Sequence, residues 1–460
     1  MKLHLGKSLN LNDPLSLDHF ASYSAAEKLS AAYMLADHVE RKKNHVGQPQ
    51  LDLAVSLMRQ NLIDHPVDLE SQILLARLLL WINELEEAIK LCDTVLATKG
   101  FDYLALHIRG VSRLQAGDIS AGVKDLEVLN NLNPHHGLLA WNLANAYFHA
   151  GKLQEGWDVF STANTILPNS YPDIPIWAGE DLADKTIVIT QYNAQGGGDD
   201  MIYAHVIPDV IKIAKQCFVE TDERAKPLYQ NSFQDAVVFQ SGEMPWLNNV
   251  VPDFQVMTSK LASIYRNKIS DFERPAGYLR ADEAAIETWK NRLTDIAGDT
   301  VKVGICWRSM ISIGLTGVAS TDIESWADIF KVEGVTFFEL QYDESEQERL
   351  AAEKLFDIKI FRLEGIDLMQ DFYQTAAVSA ALDVVITTVT TIDMIANAAG
   401  AKVFEIRSNP SALCMCSLPW YPNRTSFVKT YETTWPEVFN EVAGELQDFV
   451  GKKILAKVPF

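Results

Sequence analysis

The residues with types and spacing suited to chemistry lie where short apolar runs end. Lys185-Thr186-Ile187-Val188-Ile189-Thr190 leads into Gln195-Gly196-Gly197-Gly198-Asp199-Asp200. Three glycines admit backbone dihedrals and close approaches that other residues forbid. A helix beginning at this turn would direct unpaired N–H groups at a ligand. The run is not G-x-G-x-x-G and carries no P-loop lysine. Asp199 and Asp200 suit a helix N-cap, or, for Asp199, a general base that takes a proton from an acceptor hydroxyl. Trp307-Arg308-Ser309 follows another apolar run, and a guanidinium beside a hydroxyl suits a diphosphate or a plain surface position. Gln341, after Thr336-Phe337-Phe338-Glu339-Leu340, has an amide that can read a base or ribose. Thr387-Thr388-Val389-Thr390-Thr391 offers hydroxyls and N–H groups to an anion, or a simple N-cap, with Asp393 complementing the helix dipole. Residues 311–320, rich in small side chains, suit a loop that orders on a ligand.

These positions need a scaffold, and the pattern from Lys185 onward supplies one. Strands are expected at 185–190, 217–221 and 236–239, then at 301–306, 336–340, 359–362, 384–388 and 401–406. Helical periodicity fills 201–215, 282–297, 323–330, 345–356, 371–381, 391–399 and 435–450. Strands alternating with helices argue for parallel, doubly wound sheets, two in tandem, whose ligands bind outside the carboxyl ends of the strands.

The first third repeats with a period of 34: Pro66, Gly100, Pro134 and Pro168; Ala76, Gly110 and Ala144; Asn83, Gly117 and Gly151; Ala54, Ala88, Gly122 and Gly156. Paired helices at this period are the tetratricopeptide (TPR) signature. Small residues allow close helix approach, the Asn83 row marks the turn between the two helices, and proline ends the unit. Leu80, Leu114 and Phe148 face Cys92, Leu126 and Phe160 across the pair. Three clear repeats span 67–168, with a fainter one near 33–65. Such an array presents a surface to a protein partner, or serves as a spacer.

Composition sets the outer bounds. The chain has 460 residues and a formal charge of −21, which disfavours general nucleic-acid or anionic-membrane binding. No apolar run reaches the length of about 18 residues that a membrane span needs, and the first residues hold no continuous apolar stretch, so a cytoplasmic protein is expected. Cys92, Cys217, Cys306, Cys414 and Cys416 read as free thiols, and the Cys414-Met415-Cys416 pair lacks the second pair of ligands that a metal site requires. Neither metal nor cofactor is expected. The boundaries read as a helical segment 1–50, TPR repeats 51–170, Rossmann-like domains 171–280 and 281–434, and a terminal helix 435–460.

Together these segments resemble bacterial TPR proteins fused to a glycosyltransferase domain related to the lipopolysaccharide heptosyltransferases, over roughly 51–445. The resemblance is carried by residues 195–208, by Tyr278-Leu279-Arg280-Ala281-Asp282, Val303–Ser309, Leu340-Gln341-Tyr342 and Leu382–Ile386 with its threonine loop, and by Pro419-Trp420-Tyr421-Pro422. It implies an α plus α/β chain, a TPR solenoid followed by a two-domain GT-B fold. It also implies metal-independent, inverting transfer from a nucleotide-sugar. Asp199 would be the base, Trp307, Arg308, Ser309, Gln341, Thr388, Thr390 and Thr391 would hold the donor, and Gln195, Gly196, Gly197, Gly198 and His205 would form the phosphate or acceptor loop. The family loop reads D-T-A-x-x-H; here Val389 and Met394 stand for its Asp and His, and His205 replaces an arginine. Some members of the group resemble flagellin-modifying transferases that add a nonulosonic acid, so the implied acceptor is a protein, flagellin among the candidates. A non-catalytic adaptor and a transferase for a polysaccharide or lipid acceptor are the alternatives.

Overall fold

The computed structural model describes residues 17–42, 48–134, 136–164, 171–191, 197–246, 251–273, 276–309, 321–408, 419–430 and 433–456. The chain divides into a helical unit that ends at Ala163 and an α/β unit.

The helical unit has eight described helices: α1 (Ala25–Lys42), α2 (Gln48–Asp64), α3 (Leu69–Trp81), α4 (Leu85–Lys99), α5 (Tyr103–Gln115), α6 (Ile119–Leu132), α7 (Gly137–His149) and α8 (Leu153–Asn164). They resemble TPR pairs, and the periodic residues do what the period requires. Asn83, Gly117 and Gly151 turn the chain between paired helices at φ 64°, 86° and 72°. Asp102 and Asp118 cap α5 and α6 by accepting from the N–H groups of Ala105 and Ala121. A Cβ added at Gly122 would lie 2.7 Å from Leu114, so α5 and α6 approach where only glycine fits. The first pair begins at Ala25 rather than near residue 33. Its helices run 18 and 17 residues against 12–15 in the later pairs, with Ala54 of α2 buried like Ala88 one period on. Helix α2 starts before residue 51, the expected boundary.

The α/β unit carries two sheets. The first comprises β1 (Thr186–Thr190), β2 (Gln216–Thr221), β3 (Ala236–Gln240) and β4 (Phe254–Met257), all parallel in the order β3-β2-β1-β4. Between them run α9 (Gly197–Tyr203), α10 (Ile207–Ile211) and α11 (Lys226–Ser232), and α12 (Thr258–Tyr265) follows. The expected helix over 201–215 starts earlier, at Gly197, and passes through a 3-10 turn at Ala204–Val206 before Pro208. Strand β4 was not anticipated. Its four residues include Gln255, whose backbone carbonyl accepts from Trp177 N–H and so ties the proline-rich connection to the sheet.

Helix α13 (Glu283–Ala297) leads to the second sheet: β5 (Val301–Cys306), β6 (Val335–Glu339), β7 (Ile360–Arg362), β8 (Val384–Thr388), β9 (Val403–Ser408) and β10 (Arg424–Lys429). Their order is β10-β9-β8-β5-β6-β7. Helices α14 (Ala327–Phe330), α15 (Glu346–Phe356), α16 (Phe372–Ala381), α17 (Thr391–Ala398) and α18 (Trp435–Ala456) cover both faces. One face buries Ile305, Trp307, Trp326, Phe404, Ile406 and Phe439; the other buries Cys306, Val385, Ile392, Ala396 and Val403. Strand β10, which the apolar pattern does not predict, is an edge strand whose residues are partly exposed except for buried Phe427.

Candidate functional site

Read from its β7 edge, the second sheet runs third, second, first, fourth, fifth and sixth strand, the doubly wound order whose direction reverses between first and fourth. That switch point lies between β5 and β8, paired with Cys306 opposite Thr387. There the chain after β5 packs Ile323 and Trp326 on one face and the chain after β8 packs Ile392 and Ala396 on the other, the divergence beside which ligands of such sheets bind. Trp307 and Arg308 follow β5, Thr388 ends β8, and Thr390 and Thr391 come just after it.

Gln341 fixes the exit of β5. Its Oε1 accepts from the N–H groups of Trp307 (3.1 Å) and Arg308 (3.3 Å), and its Nε2 donates to Arg308 O (3.0 Å) and Asp343 (3.1 Å). The amide that could read a base is buried and engaged by the protein's own backbone. Trp307 is fully buried, and its indole N–H donates to Glu348 at 2.7 Å. Arg308 forms a two-pronged pair with Glu348, at 2.9 and 2.7 Å, and a further ion pair with Asp343. Burial alone would lower its pKa; the hydrogen bonds to Glu348 and Asp343 outweigh it and raise the value. Two carboxylates thus hold the guanidinium expected on a diphosphate. Nothing in the spacing of Asp343 and Glu348 announces this role. Ser309 follows, partly exposed.

At β8 the threonines divide their work. Thr390 is the N-cap of α17, its Oγ1 accepting from Asp393 N–H at 3.3 Å. Thr387 Oγ1 donates to Thr388 O at 2.8 Å. Thr388 Oγ1 is buried without a hydrogen-bond partner. Thr391 is partly exposed beside α9: a Cβ built on Gly198 would lie 3.4 Å from its Oγ1 and 2.8 Å from Met394 Sδ. Gly198 therefore lets the first turn of α9 rest on the first turn of α17. Val389 and Met394 are both buried.

Asp199 belongs to α9, but its carboxylate lies outside the described residues, as do Gln195, Gly196, residues 311–320, Cys414 and Cys416. Gly197 opens the helix. Asp200 is the carboxylate that the structure locates: buried, it accepts from Thr258 Oγ1 at 3.0 Å and Tyr229 OH at 3.2 Å, which ties α9 to α12 and α11. Burial first, and Asp200 second, push the Tyr229 hydroxyl well above its ordinary pKa.

His205 sits in the 3-10 turn rather than on an open loop. It is 1% exposed, and its Nδ1 accepts from Arg266 Nε at 3.1 Å. Its ring meets Tyr278 at 5.1 Å and Trp420 at 5.4 Å, both edge-on. Trp420 also meets Phe272 at 4.7 Å, and Tyr278 stacks on Tyr421 at 6.3 Å. Three motif segments far apart in sequence, around 203–205, 278 and 420–421, converge in an aromatic clasp joining the elements of the two sheets. The aromatic residues of these motifs pack edge-on or stacked against one another.

The described cysteines Cys92, Cys217 and Cys306 are free and buried, and burial pushes each thiol up to about 12. Among the described residues no acidic, His and Cys cluster could hold a metal, and no helix is long and apolar enough to cross a membrane.

No protein-family model matches the chain. The chain is 27% identical over 370 residues to protein FlbA of Caulobacter vibrioides (strain ATCC 19089 / CIP 103742 / CB 15), an alignment covering 75% of this chain. The chain spans 61% of the length of that relative. Solved structures similar to part of the chain include one of MamA (AMB-1), at TM-score 0.27 and 16% identity, covering 32% of this chain and 74% of that one. Another is a tetratricopeptide repeat protein from Parabacteroides merdae ATCC 43184, at TM-score 0.25 and 14% identity, covering 30% of this chain and 54% of that one.

Proposed function

We propose that the chain is a glycosyltransferase of GT-B type that moves a sugar from a nucleotide-sugar to a hydroxyl of a protein delivered by the TPR-like repeats. The observation that carries this reading is the strand-order reversal between β5 and β8, with the Thr390-capped α17 opening beside it. That arrangement suits a nucleotide diphosphate, whose charge the unpaired N–H groups of a helix start attract. Asp199 is the proposed base for the acceptor hydroxyl, and transfer with inversion needs no metal. The repeats contribute proximity. Flagellin, modified with a nonulosonic acid, is the proposed acceptor.

One observation favours the second reading, a non-catalytic adaptor: Trp307, Arg308 and Gln341 are already satisfied by protein partners. Melting the full chain with CMP-, UDP-, ADP- and GDP-sugars separates the two. A bound nucleotide-sugar raises the melting temperature by mass action; no shift with any of them supports the adaptor. Asp199→Asn then abolishes transfer while partner capture persists, and deletion of 51–168 does the reverse. An Asp199→Asn chain that still glycosylates its acceptor refutes the assignment of the base.

A further inference from the structure

Arg308 is held by Asp343 and Glu348, so an anion at the switch point needs another cation. Strand β9 supplies one. Along it, Phe404 and Ile406 enter the core on one face, while Val403 packs with Ile392 and Ala396 of α17 on the other. Alternation along a strand places Glu405 and Arg407 on the α17 face, with Arg407 two residues nearer the carboxyl edge. Thr387 of β8 pairs with Glu405 and Thr388 with Ile406, so the register carries Arg407 level with Val389, two residues before α17 begins.

The charged groups around Arg407 are Glu405, Arg424 and Asp393. Glu405 is fully buried and accepts from Arg424 at 3.1 Å and Ser426 at 2.7 Å. Arg407 lies 3.4 Å from the same carboxylate through Nε, which has no hydrogen-bond partner. Asp393, in the first turn of α17, is the other acid present. It is fully buried, one of its oxygens accepts from Asn397 at 2.7 Å, and the other has no partner. Burial, and then the charge of Glu405, hold its carboxyl well above the usual range. The Glu405 carboxylate lies against two guanidiniums. Of these, Arg407 has the more exposed side chain, 14% against 7% for Arg424.

We propose that Arg407, and not Arg308, is the side chain that binds the diphosphate at the switch point, its planar fork acting together with the first N–H groups of α17. A planar guanidinium grips two phosphate oxygens at once. The proposal rests on the nucleotide-sugar reading for the identity of the ligand, but the diphosphate site can be probed alone.

The experiment titrates the full chain by calorimetry with inorganic pyrophosphate and with CMP, UDP, ADP and GDP, for wild type, R407Q, R407K and R308Q. Loss of a charged hydrogen-bonding group at a phosphate weakens binding about 10- to 100-fold. R407Q is expected to weaken pyrophosphate and the preferred nucleotide by that factor, and R407K by less. R308Q is expected to lower the melting temperature while leaving binding within about threefold. If R407Q reduces the folded fraction, R407K carries the comparison, because Glu405 retains Arg424. Wild-type binding that R407Q and R407K leave unchanged, or that R308Q weakens as much, overturns the proposal and leaves the nucleotide reading standing. Pyrophosphate binding lost in R407Q, with no nucleotide bound by wild type, sustains the proposal and overturns that reading. Wild type that binds neither probe overturns both.

Discussion

The connection between the two sheets crosses the end of α17 with backbone against backbone, and Gly400→Ala tests that crossing. Gly400 has φ 84°. A Cβ there would lie 2.9 Å from Gly277 N, 3.0 Å from Gly277 Cα and 3.2 Å from Ala276 C. All three are main-chain atoms, so no side chain can swing aside. A left-handed non-glycine residue costs roughly 1–2 kcal/mol, and overpacking adds about 1–3 kcal/mol. The expected loss is about 2–5 kcal/mol in the opening free energy of this region. The strain also spreads along the connection, where Leu279 N–H donates to Ala398 O at 3.1 Å and Tyr278 OH donates to Met201 O at 2.9 Å. Gly444→Ala is the matched control. It lies in α18 with open space around the added Cβ, so it gains about 1 kcal/mol of helix propensity. Hydrogen exchange read by mass spectrometry on the full chain reports both locally. G400A should speed exchange across α17 and residues 276–281, while G444A slows it in α18. Unchanged protection of α17 in G400A would refute the tight crossing and the reasoning built on it.

In the repeats, Gly122→Ala meets Leu114 at 2.7 Å and Gly110 O at 2.9 Å; despite the better propensity of alanine, a net loss of about 1–2 kcal/mol in α5 and α6 is expected from hydrogen exchange. Gln341→Leu leaves the N–H groups of Trp307 and Arg308 without their acceptor, at about 1–3 kcal/mol for each group left buried, and should lower the melting temperature whether or not a nucleotide is present. Asp393 has a raised pKa in the folded chain, so the folded state holds a proton that the unfolded state releases above its ordinary value of 3.8. Stability should therefore fall as pH rises from 3.8 toward that raised value. Melting curves of wild type and Asp393→Asn at pH 5 and pH 8 check the sign: the variant should gain on wild type as pH increases.

Much of this architecture is legible because period and turn chemistry agree. Asn83, Gly117 and Gly151 were readable as turn residues because a positive φ restricts residue type. Strands β5 and β8 were readable because strands buried on both faces are continuous apolar runs. Strand β4 was hidden because four residues with a central Gln255 carry no such run, and the clue was a tertiary one, the pairing with β1. The candidate site was legible only as a location. Residue types placed Arg308 and Gln341 at strand ends, where ligands of such sheets bind. They could not show that Asp343 and Glu348, a few residues on, would be folded back onto Arg308. Nor could they mark Arg407, whose significance comes from the face of β9 it shares with α17 and from the partners that surround Glu405.

The distribution of these roles bears on how the motifs should be used. His205, Tyr278 and Trp420 meet in one aromatic clasp, while Trp307 and Gln341 brace the exit of β5. Substituting any of them would disturb the proposed nucleotide site indirectly, through the strand ends and the clasp. Activity loss in such variants therefore says little about ligand contact. A contact residue is recognised by the opposite behaviour, binding lost while the melting temperature of the empty chain holds. By that criterion Arg407 can be distinguished from Arg308, and the switch point can be tested independently of the motif residues that brace it.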